Sequence, residues 1–278
     1  MTQPETTEKT QTLLEHLDDL RIRIIWALVG LAIGTVIGVV FTRPLLSLLT
    51  RPFCEYLVLP GTTEPAGAQC AVRLITLRPT EALETYFKIA LTAGAILAMP
   101  FILYQLWLFI TPGLAKQERR YVYVFLPSAT LLFVTGVAFA WFVLLPPAFY
   151  FLVNFLSDSI NNQWQLAPYI SFTTSFMFWI GVSFEMPLII YILARVGVVS
   201  ANVLREQWRV ALVGIAVLAA VITPSVDPIT MLLTMVPLVI LYILSIFLAR
   251  LGQRQFERSM LTGVRSKFLR REDEEGVQ

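Results

Sequence analysis

The chain has 278 residues, of which 56% are hydrophobic and only 14% charged, and its mean hydropathy is +0.71. The charged residues fall in a few clusters with long uncharged runs between them. This composition excludes an ordinary soluble globular domain and predicts an integral membrane protein. The formal net charge of +2 does not point to nucleic acid as a partner.

Residues 1–21 are predicted to form a polar cytoplasmic segment. Five acids lie among the first twenty residues, and the apolar core of a cleavable signal peptide is missing there, so none is expected. The first membrane helix, predicted over residues 22–41, is therefore expected to direct insertion. Twenty residues at about 1.5 Å each cover the roughly 30 Å of a hydrocarbon core.

A long connection is predicted over residues 42–78, and it contains four prolines and both cysteines. Cys54 and Cys70 are sixteen positions apart. An external, oxidising compartment would permit a disulfide between them. Two free thiols are the alternative.

Five further apolar segments follow, over residues 79–110, 121–145, 169–193, 210–222 and 229–249. The first of these is longer than a perpendicular span requires, so it is expected to tilt, to kink near Pro100 or to project beyond the lipid. Segment 121–145 is predicted to stop at Pro146-Pro147. Segment 210–222 has only 13 residues, and with 229–249 it should form a short hairpin that thins the bilayer locally or leans on its neighbours.

The predicted fold is therefore an all-α membrane protein with six transmembrane helices in one domain, residues 22–249, and a cytoplasmic basic and acidic tail, 250–278. Its orientation follows from the basic residues, which are enriched in cytoplasmic segments. With both termini inside, sixteen lysines and arginines are cytoplasmic. Four are external: Arg43, Arg51, Arg73 and Arg78.

A charged connection after the second apolar segment is the first candidate functional site. Pro112-Gly113 ends that segment, and Glu118 then stands among the bases Lys116, Arg119 and Arg120. The connection could be an ordinary cytoplasmic loop in which Glu118 pairs with a neighbouring arginine. Equally, Glu118 could bind a cationic peptide, and the residue chemistry alone leaves both readings open.

Glu185 is the second candidate, because it lies in the middle of the fourth apolar segment. An ionisable side chain at such a position is a functional hypothesis by default. The alternative is a neutral carboxyl group that hydrogen-bonds to a helix neighbour such as Ser183 or Thr173. His16 is the only histidine, and the chain has neither a Cys-x-x-Cys pair nor a glycine-rich phosphate loop after a predicted strand. We therefore predict no enzyme, no metal and no cofactor.

Three stretches, in order along the chain, resemble the motifs of the TatC family, the multi-spanning subunit of the twin-arginine (Sec-independent) protein translocase. Residues 16–21 read HLDDLR and resemble H-L-x-E-L-R. Residues 100–120 contain P-F-I-L-Y-Q-L-W-x-F-I-x-P-G-L-x-x-x-E-R-R, and residues 181–187 contain G-x-x-F-E-x-P. The resemblance extends over most of the chain, from residue 12 to about residue 250.

This resemblance implies a receptor that binds twin-arginine signal peptides of folded proteins. Asp19 and Glu118 match the two acids that contribute to recognition of the consecutive arginines, and Gln105 and Phe109 lie in the same motif as Glu118. A carboxylate suits this role because a guanidinium group makes paired, charge-assisted hydrogen bonds to it. The sequence departs from the family by having aspartate at position 19, which shortens the reach, and Asp18 beside it could share the role. From residue chemistry alone, Asp19 would be an acid stabilised at a helix start.

The resemblance also implies that Glu185 and Thr223 belong to a polar patch where partner helices of the TatA and TatB type dock. Met231 stands where the family has glutamine, four residues after Asp227. Pro100, Pro112, Gly113 and Asp227 would be structural. Export would use the protonmotive force across the cytoplasmic (inner) membrane, in a complex that contains several copies. The alternatives are a proton-coupled small-molecule transporter with Glu185 as its titrating carboxyl group, and a membrane scaffold without a ligand.

Overall fold

The computed structural model describes the backbone of residues 13–56, 74–110, 122–155, 164–223 and 227–275, and side chains within 17–51, 74–109, 125–155, 164–223 and 227–255. These residues are almost entirely helical. In this part of the chain the β pairing is an isolated parallel bridge between Ile75 and Gln165. The all-α prediction is therefore confirmed for the described residues.

Nine α-helices and one π-helical segment follow one another in the described part of the chain. They are α1 (Leu13–Tyr56), α2 (Glu81–Ile110), α3 (Val122–Phe139), the π-helix (Ala140–Leu144), α4 (Leu145–Asn154), α5 (Leu166–Ser183), α6 (Met186–Arg195), α7 (Ala201–Glu206), α8 (Trp208–Ile222) and α9 (Pro228–Glu275).

Five stretches of these helices are long and apolar enough to cross a membrane. They are Leu17–Arg51, Glu81–Phe109, Phe125–Asn154, Leu166–Arg195 and Pro228–Gln255. Helix α8 is apolar but has only 15 residues, or about 22 Å. The chain therefore has the helices of a multi-spanning membrane protein, and a crossing by α8 would make six.

Helix α1 is longer than predicted, because it continues through Pro44 to Tyr56. Leu45, Leu46 and Leu49 recur at helical spacing and pack into a buried core, in which Leu49 is 7% exposed. Burial of this apolar face favours the helix and offsets the backbone hydrogen bond that Pro44 cannot donate.

The prediction that the third apolar helix ends at Pro146-Pro147 is wrong. A π-helical turn over Ala140–Leu144 interrupts the α-helical ladder, and α4 then begins at Leu145 with proline in its first turn. Proline is tolerated there, since the first N–H groups of a helix have no intrahelical acceptor. The helical path therefore continues to Asn154.

Two compact units divide the chain, Met1–Phe41 with Ala90–Thr130 and Thr42–Ile89 with Leu131–Gln278. In the first unit, α1 and α2 cross at closely approaching backbones. Gly30, Gly34 and Gly38 are four residues apart on α1, and a Cβ atom at Gly34 would lie 2.5 Å from the carbonyl oxygen of Gly94. Small residues at this spacing are typical of close helix packing in membranes.

Aromatic and aliphatic side chains of α4, α5, α8 and α9 form the core of the second unit. Phe149 stacks on Tyr169 with ring centres 5.0 Å apart, and Phe172 stacks on Phe176 at 5.4 Å. Tyr169 donates its hydroxyl hydrogen to the carbonyl oxygen of Leu49 at 2.6 Å, which ties the end of α1 to α5.

The start of α2 is fixed by Glu81, whose side chain is fully buried. Its carboxylate accepts hydrogen bonds from the backbone N–H groups of Leu77 at 2.9 Å and Ala167 at 3.0 Å, and from Gln165 Nε2 at 2.9 Å. Because an acid at a helix N-terminus also interacts favourably with the dipole, Glu81 both begins α2 and joins it to the start of α5.

Candidate functional site

Asp19 is the first predicted site residue that the structure describes. It lies in the second turn of α1, which begins at Leu13, so the interpretation as a helix-start acid is wrong. Arg23, four residues later, donates from Nε to Asp19 Oδ2 at 2.8 Å. The Asp19 side chain is 27% exposed. A carboxylate that is accessible to solvent and already binds a guanidinium group is chemically suited to bind another.

Gln105 and Phe109 lie in the last two turns of α2, in the same compact unit as Asp19. Gln105 is 9% exposed and Phe109 is half-buried. Between them Trp107 stacks on Phe125 of α3, with ring centres 5.4 Å apart and planes 7° from parallel. Glu118, Pro112 and Gly113 lie outside the described residues, and so do the side chains of His16, Cys54 and Cys70. Pro100 lies within α2, which continues past it.

Glu185 lies at a break in the helical path, not within a continuous helix. Helix α5 ends at Ser183 and α6 begins at Met186 with Pro187 in its first turn. Pro187 lacks the N–H group that would bond to the Ser183 carbonyl, and its ring would clash with that carbonyl in a regular helix. The G-x-x-F-E-x-P motif therefore places its acid at a proline-induced break.

The Glu185 carboxyl group is buried without a full set of hydrogen bonds. The residue is 3% exposed, and among the described residues Oε1 has no hydrogen-bond partner. The alternative that Ser183 or Thr173 satisfies the carboxyl group is wrong: each donates its hydroxyl hydrogen to its own helix, to Trp179 O at 2.8 Å and Tyr169 O at 2.9 Å. A buried polar atom without a partner destabilises the isolated chain, which makes Oε1 a candidate to accept or donate a bond to a bound partner.

A close crossing of α3 and α5 beside Glu185 is a feature that the sequence analysis missed. A Cβ atom at Gly136 would lie 2.9 Å from Gly181 Cα, and one at Gly181 would lie 2.8 Å from the ring of Phe133. The aromatic ring of Phe184 packs on Phe139 at 5.5 Å. The sequence signal for this close crossing was a glycine in each of two otherwise bulky apolar segments.

The turn between α8 and α9 contains the remaining predicted residues. Thr223 caps α8, is 3% exposed and donates its hydroxyl hydrogen to Ala219 O at 2.7 Å. Asp227 precedes Pro228, accepts from the Thr230 N–H at 2.7 Å and also accepts from the Thr230 hydroxyl group. This is an N-cap with proline at the first helical position. Met231 packs against the buried core and offers no hydrogen bond of the kind an amide would give.

Within the described residues, no group of three or more histidine, cysteine or acidic side chains could hold a metal ion. The described candidate residues instead include two separate acidic groups. Asp19 is a solvent-accessible carboxylate that binds an arginine, and Glu185 is a buried carboxyl group at a helix break. Such groups can bind a cationic peptide and a polar side chain, respectively.

Comparisons with known proteins agree with these motifs. Residues 15–237 match the family model of TatC, the Sec-independent protein translocase protein. The chain is 40% identical over 238 residues to the Sec-independent protein translocase protein TatC of Deinococcus radiodurans, covering 86% of this chain and 85% of that protein. It is 33% identical over 248 residues to the chloroplastic TATC of Pisum sativum, covering 89% of this chain and 66% of that protein.

A crystal structure of the twin arginine translocase receptor TatC has the same fold, with a TM-score of 0.76 and 35% sequence identity. The match covers 86% of this chain and 99% of that chain. The residues matched by the family model include all three motifs. The chain therefore belongs to the TatC family of Sec-independent protein translocase proteins.

Proposed function

We propose that this chain is the receptor subunit of a twin-arginine translocase and that it binds the signal peptides of folded cargo proteins. Asp19 and Glu118 would bind the two consecutive arginines, with Gln105 and Phe109 contributing nearby. The observation that carries the proposal is the bond from Arg23 Nε to Asp19 Oδ2, because the shorter aspartate at position 19 binds a guanidinium group in this structure. The match to a protein described as a twin arginine translocase receptor supports the same role.

The proposal includes a membrane complex. Single-span partners of the TatA and TatB type would dock at the break that contains Glu185, with Thr223 and Met231 in the same patch. The buried Oε1 atom of Glu185 supports this, since a partner's polar side chain would satisfy it. Six spans over residues 22–249 and cytoplasmic termini, including the tail 250–278, place Asp19 and Glu118 on the side where the cargo is made. Export would be driven by the protonmotive force across the inner membrane, with several copies in each complex.

Titration of the purified chain with a labelled twin-arginine signal peptide, beside its twin-lysine variant, tests the proposal. Glu118→Gln should weaken binding by about ten- to a hundred-fold, because one charge-assisted hydrogen-bonded pair is worth about 1.5–3 kcal/mol. Asp19→Asn should weaken it less, since aspartate has the shorter reach. Glu84→Gln removes an exposed acid elsewhere and is the charge-matched control. Unchanged binding in both site variants would refute the assignment of these acids.

A further inference from the structure

Four exposed arginines form a surface that the receptor role does not use: Arg205, Arg209, Arg250 and Arg254. We call them the basic rim. None of them forms an ion pair with a carboxylate of the described residues. Among residues 186–255, whose side chains are described apart from 224–226, the acids are Glu206 beside the rim and Asp227 in the cap at the other end of α8. Helix α9 has further acids from Glu257 onward, beyond its described side chains. Among the residues whose side chains are described, the rim therefore has four positive charges beside one negative charge.

The helices that carry the rim are firmly packed together. Ala201 donates its N–H to Gln253 Oε1 at 3.3 Å, and Tyr242 donates its hydroxyl hydrogen to Leu204 O at 2.6 Å. Ala201 and Ala249 lie in one small buried cluster. These contacts hold α7 against α9, so Arg205 lies on a helix that is packed against the one that carries Arg250 and Arg254.

The rim lies where the apolar outer surface of the helices ends. Helix α8 begins at Trp208, and after Arg209 its exposed side chains are apolar. On α9, exposed apolar side chains recur every three or four residues from Ile229 to Leu251. The Trp208 ring is 49% exposed, and the Arg209 guanidinium carbon lies 5.6 Å from its centre. Exposed tryptophan beside arginine at the end of an apolar helix is typical of the headgroup region.

The length of α8 determines what the rim can reach. Its 15 residues span about 22 Å, against roughly 30 Å for a hydrocarbon core. A short helix is accommodated by local thinning of the bilayer and by long side chains that extend towards the headgroups. Both effects bring lipid phosphates close to Arg205 and Arg209.

We propose that the basic rim binds the phosphate groups of anionic phospholipids and thereby holds the short α8–α9 hairpin in a locally thinned bilayer. Guanidinium groups pair with phosphate oxygens through two parallel hydrogen bonds. The ligand is a lipid and not free phosphate, because the acyl chains would cover the exposed apolar faces of α8 and α9 that adjoin the arginines. This inference is separate from signal-peptide binding, since it involves none of the acids assigned to that role.

Native mass spectrometry of the full chain in detergent tests the proposal, by titration with phosphatidylglycerol and with phosphatidylcholine of the same acyl chains. We expect tighter binding of phosphatidylglycerol. Each arginine near an anionic surface contributes about fivefold, so Arg205→Gln with Arg209→Gln should weaken phosphatidylglycerol binding about twenty-five-fold. Arg205→Lys with Arg209→Lys keeps the charge and loses the paired geometry, and should weaken it by a smaller factor.

The control is Arg43→Gln with Arg51→Gln, which removes the same charge from two exposed positions on α1. We expect this variant to bind phosphatidylglycerol like the parent chain. If the control lost phosphatidylglycerol binding by the same factor as the rim variant, the effect would be one of general charge, and the rim would not be a site. Unchanged binding in both rim variants would overturn it too, as would equally effective displacement of the lipid by inorganic phosphate at matched ionic strength.

Discussion

Asp19 and Glu185 carry the same chemical group in opposite surroundings. The carboxylate of Asp19 is partly exposed and bonded to Arg23, whereas Oε1 of Glu185 is buried with no partner in the described part of the chain. An exposed carboxylate can exchange one guanidinium group for another at little net change in free energy. A buried carboxyl group gains a hydrogen bond only from a group that is brought to it. The two residues are thus suited to a peptide ligand and to a docked helix, respectively.

Arg23→Gln should tighten signal-peptide binding if Asp19 contacts an arginine of the peptide. The substitution removes the internal competitor for the Asp19 carboxylate, and an exposed ion pair of this kind is worth about 0.3–1 kcal/mol, or roughly two- to fivefold in affinity. Arg21→Gln is the matched control, since Arg21 is exposed and its loss changes the net charge equally. Titration of the three chains with a labelled twin-arginine peptide gives the comparison. Equal tightening in both variants would show a general charge effect in place of a contact with Asp19.

Glu185→Ala should reduce co-purification of TatA and TatB type partners by about three- to thirty-fold, because an interhelical hydrogen bond in lipid is worth about 0.6–2 kcal/mol. Signal-peptide binding should be unchanged, because that role is assigned to Asp19 and Glu118. Glu185→Gln keeps a donor and an acceptor and should preserve export of a folded reporter.

Ser183→Ala is the control for this site, because the Ser183 hydroxyl group is close to Glu185 in sequence but donates its hydrogen to Trp179 O of its own helix. It should leave partner co-purification at the level of the parent chain. Equal loss of export in the Gln and Ala variants of Glu185 would contradict docking by hydrogen bond and favour a role that requires ionisation.

At the scale of elements, glycine and proline decide how the helices pack and where they end. Gly30, Gly34 and Gly38 allow α1 and α2 to approach closely: an added Cβ atom would meet backbone atoms of α2 at Gly34 and Gly38, and the ring of Phe101 at Gly30. Pro187 divides α5 from α6, whereas Pro100 lies within a helix that continues on both sides. Proline interrupts a helix where neighbours do not compensate for its lost hydrogen bond.

Gly34→Ala should lower the free energy of unfolding of the detergent-solubilised chain by about 1–3 kcal/mol. The added Cβ atom would lie 2.5 Å from the backbone oxygen of Gly94, which cannot move without displacing α2. Gly214→Ala is the matched control, since a Cβ atom there meets nothing within 4 Å. Because alanine favours helix over glycine, the control should be stabilised by about 0.5–1 kcal/mol. Denaturant titration of both variants measures the two effects, and destabilisation by both would contradict the close crossing.

For the whole molecule, the question is whether α8 crosses the membrane. Five long apolar stretches alone would leave the two termini on opposite sides, and a crossing by the 15-residue α8 returns the C-terminus to the side of the N-terminus. The distribution of basic residues favours the second arrangement. A thinned bilayer at the α8–α9 hairpin would make that crossing possible.

Labelling with a membrane-impermeant thiol reagent should therefore give the same result at both termini. In a chain whose two cysteines are replaced by serine, Thr2→Cys and Gln278→Cys should be protected in intact cells and react after permeabilisation. Asn162→Cys lies in the predicted external connection after the third apolar segment, where residues 146–168 contain no lysine or arginine. It should react in intact cells and is the control. Reaction of Gln278→Cys, but not of Thr2→Cys, in intact cells would show five crossings.

The sequence by itself determined the class of the protein, because lipid requires long apolar helices and this requirement acts on each segment separately. The three motifs likewise gave the family from local residue patterns. The sequence also identified Glu185 as unusual, since a charged residue in an apolar run is visible without knowledge of its neighbours. The glycine spacing on α1 was equally visible, but which helix it faces was not.

Only the tertiary structure decided where the helices end and what surrounds the candidate residues. Pro44 and Pro146-Pro147 suggested helix ends. Helix α1 continues past Pro44 because its leucines pack into a core formed by other helices. After the π-helical turn, Pro146-Pro147 lie in the first turn of α4, where proline is tolerated. The hydroxyl groups of Ser183 and Thr173 stood close enough in sequence to satisfy Glu185, yet both bond to their own helices. These outcomes depend on which groups other helices present in space, and a local pattern contains no information about that.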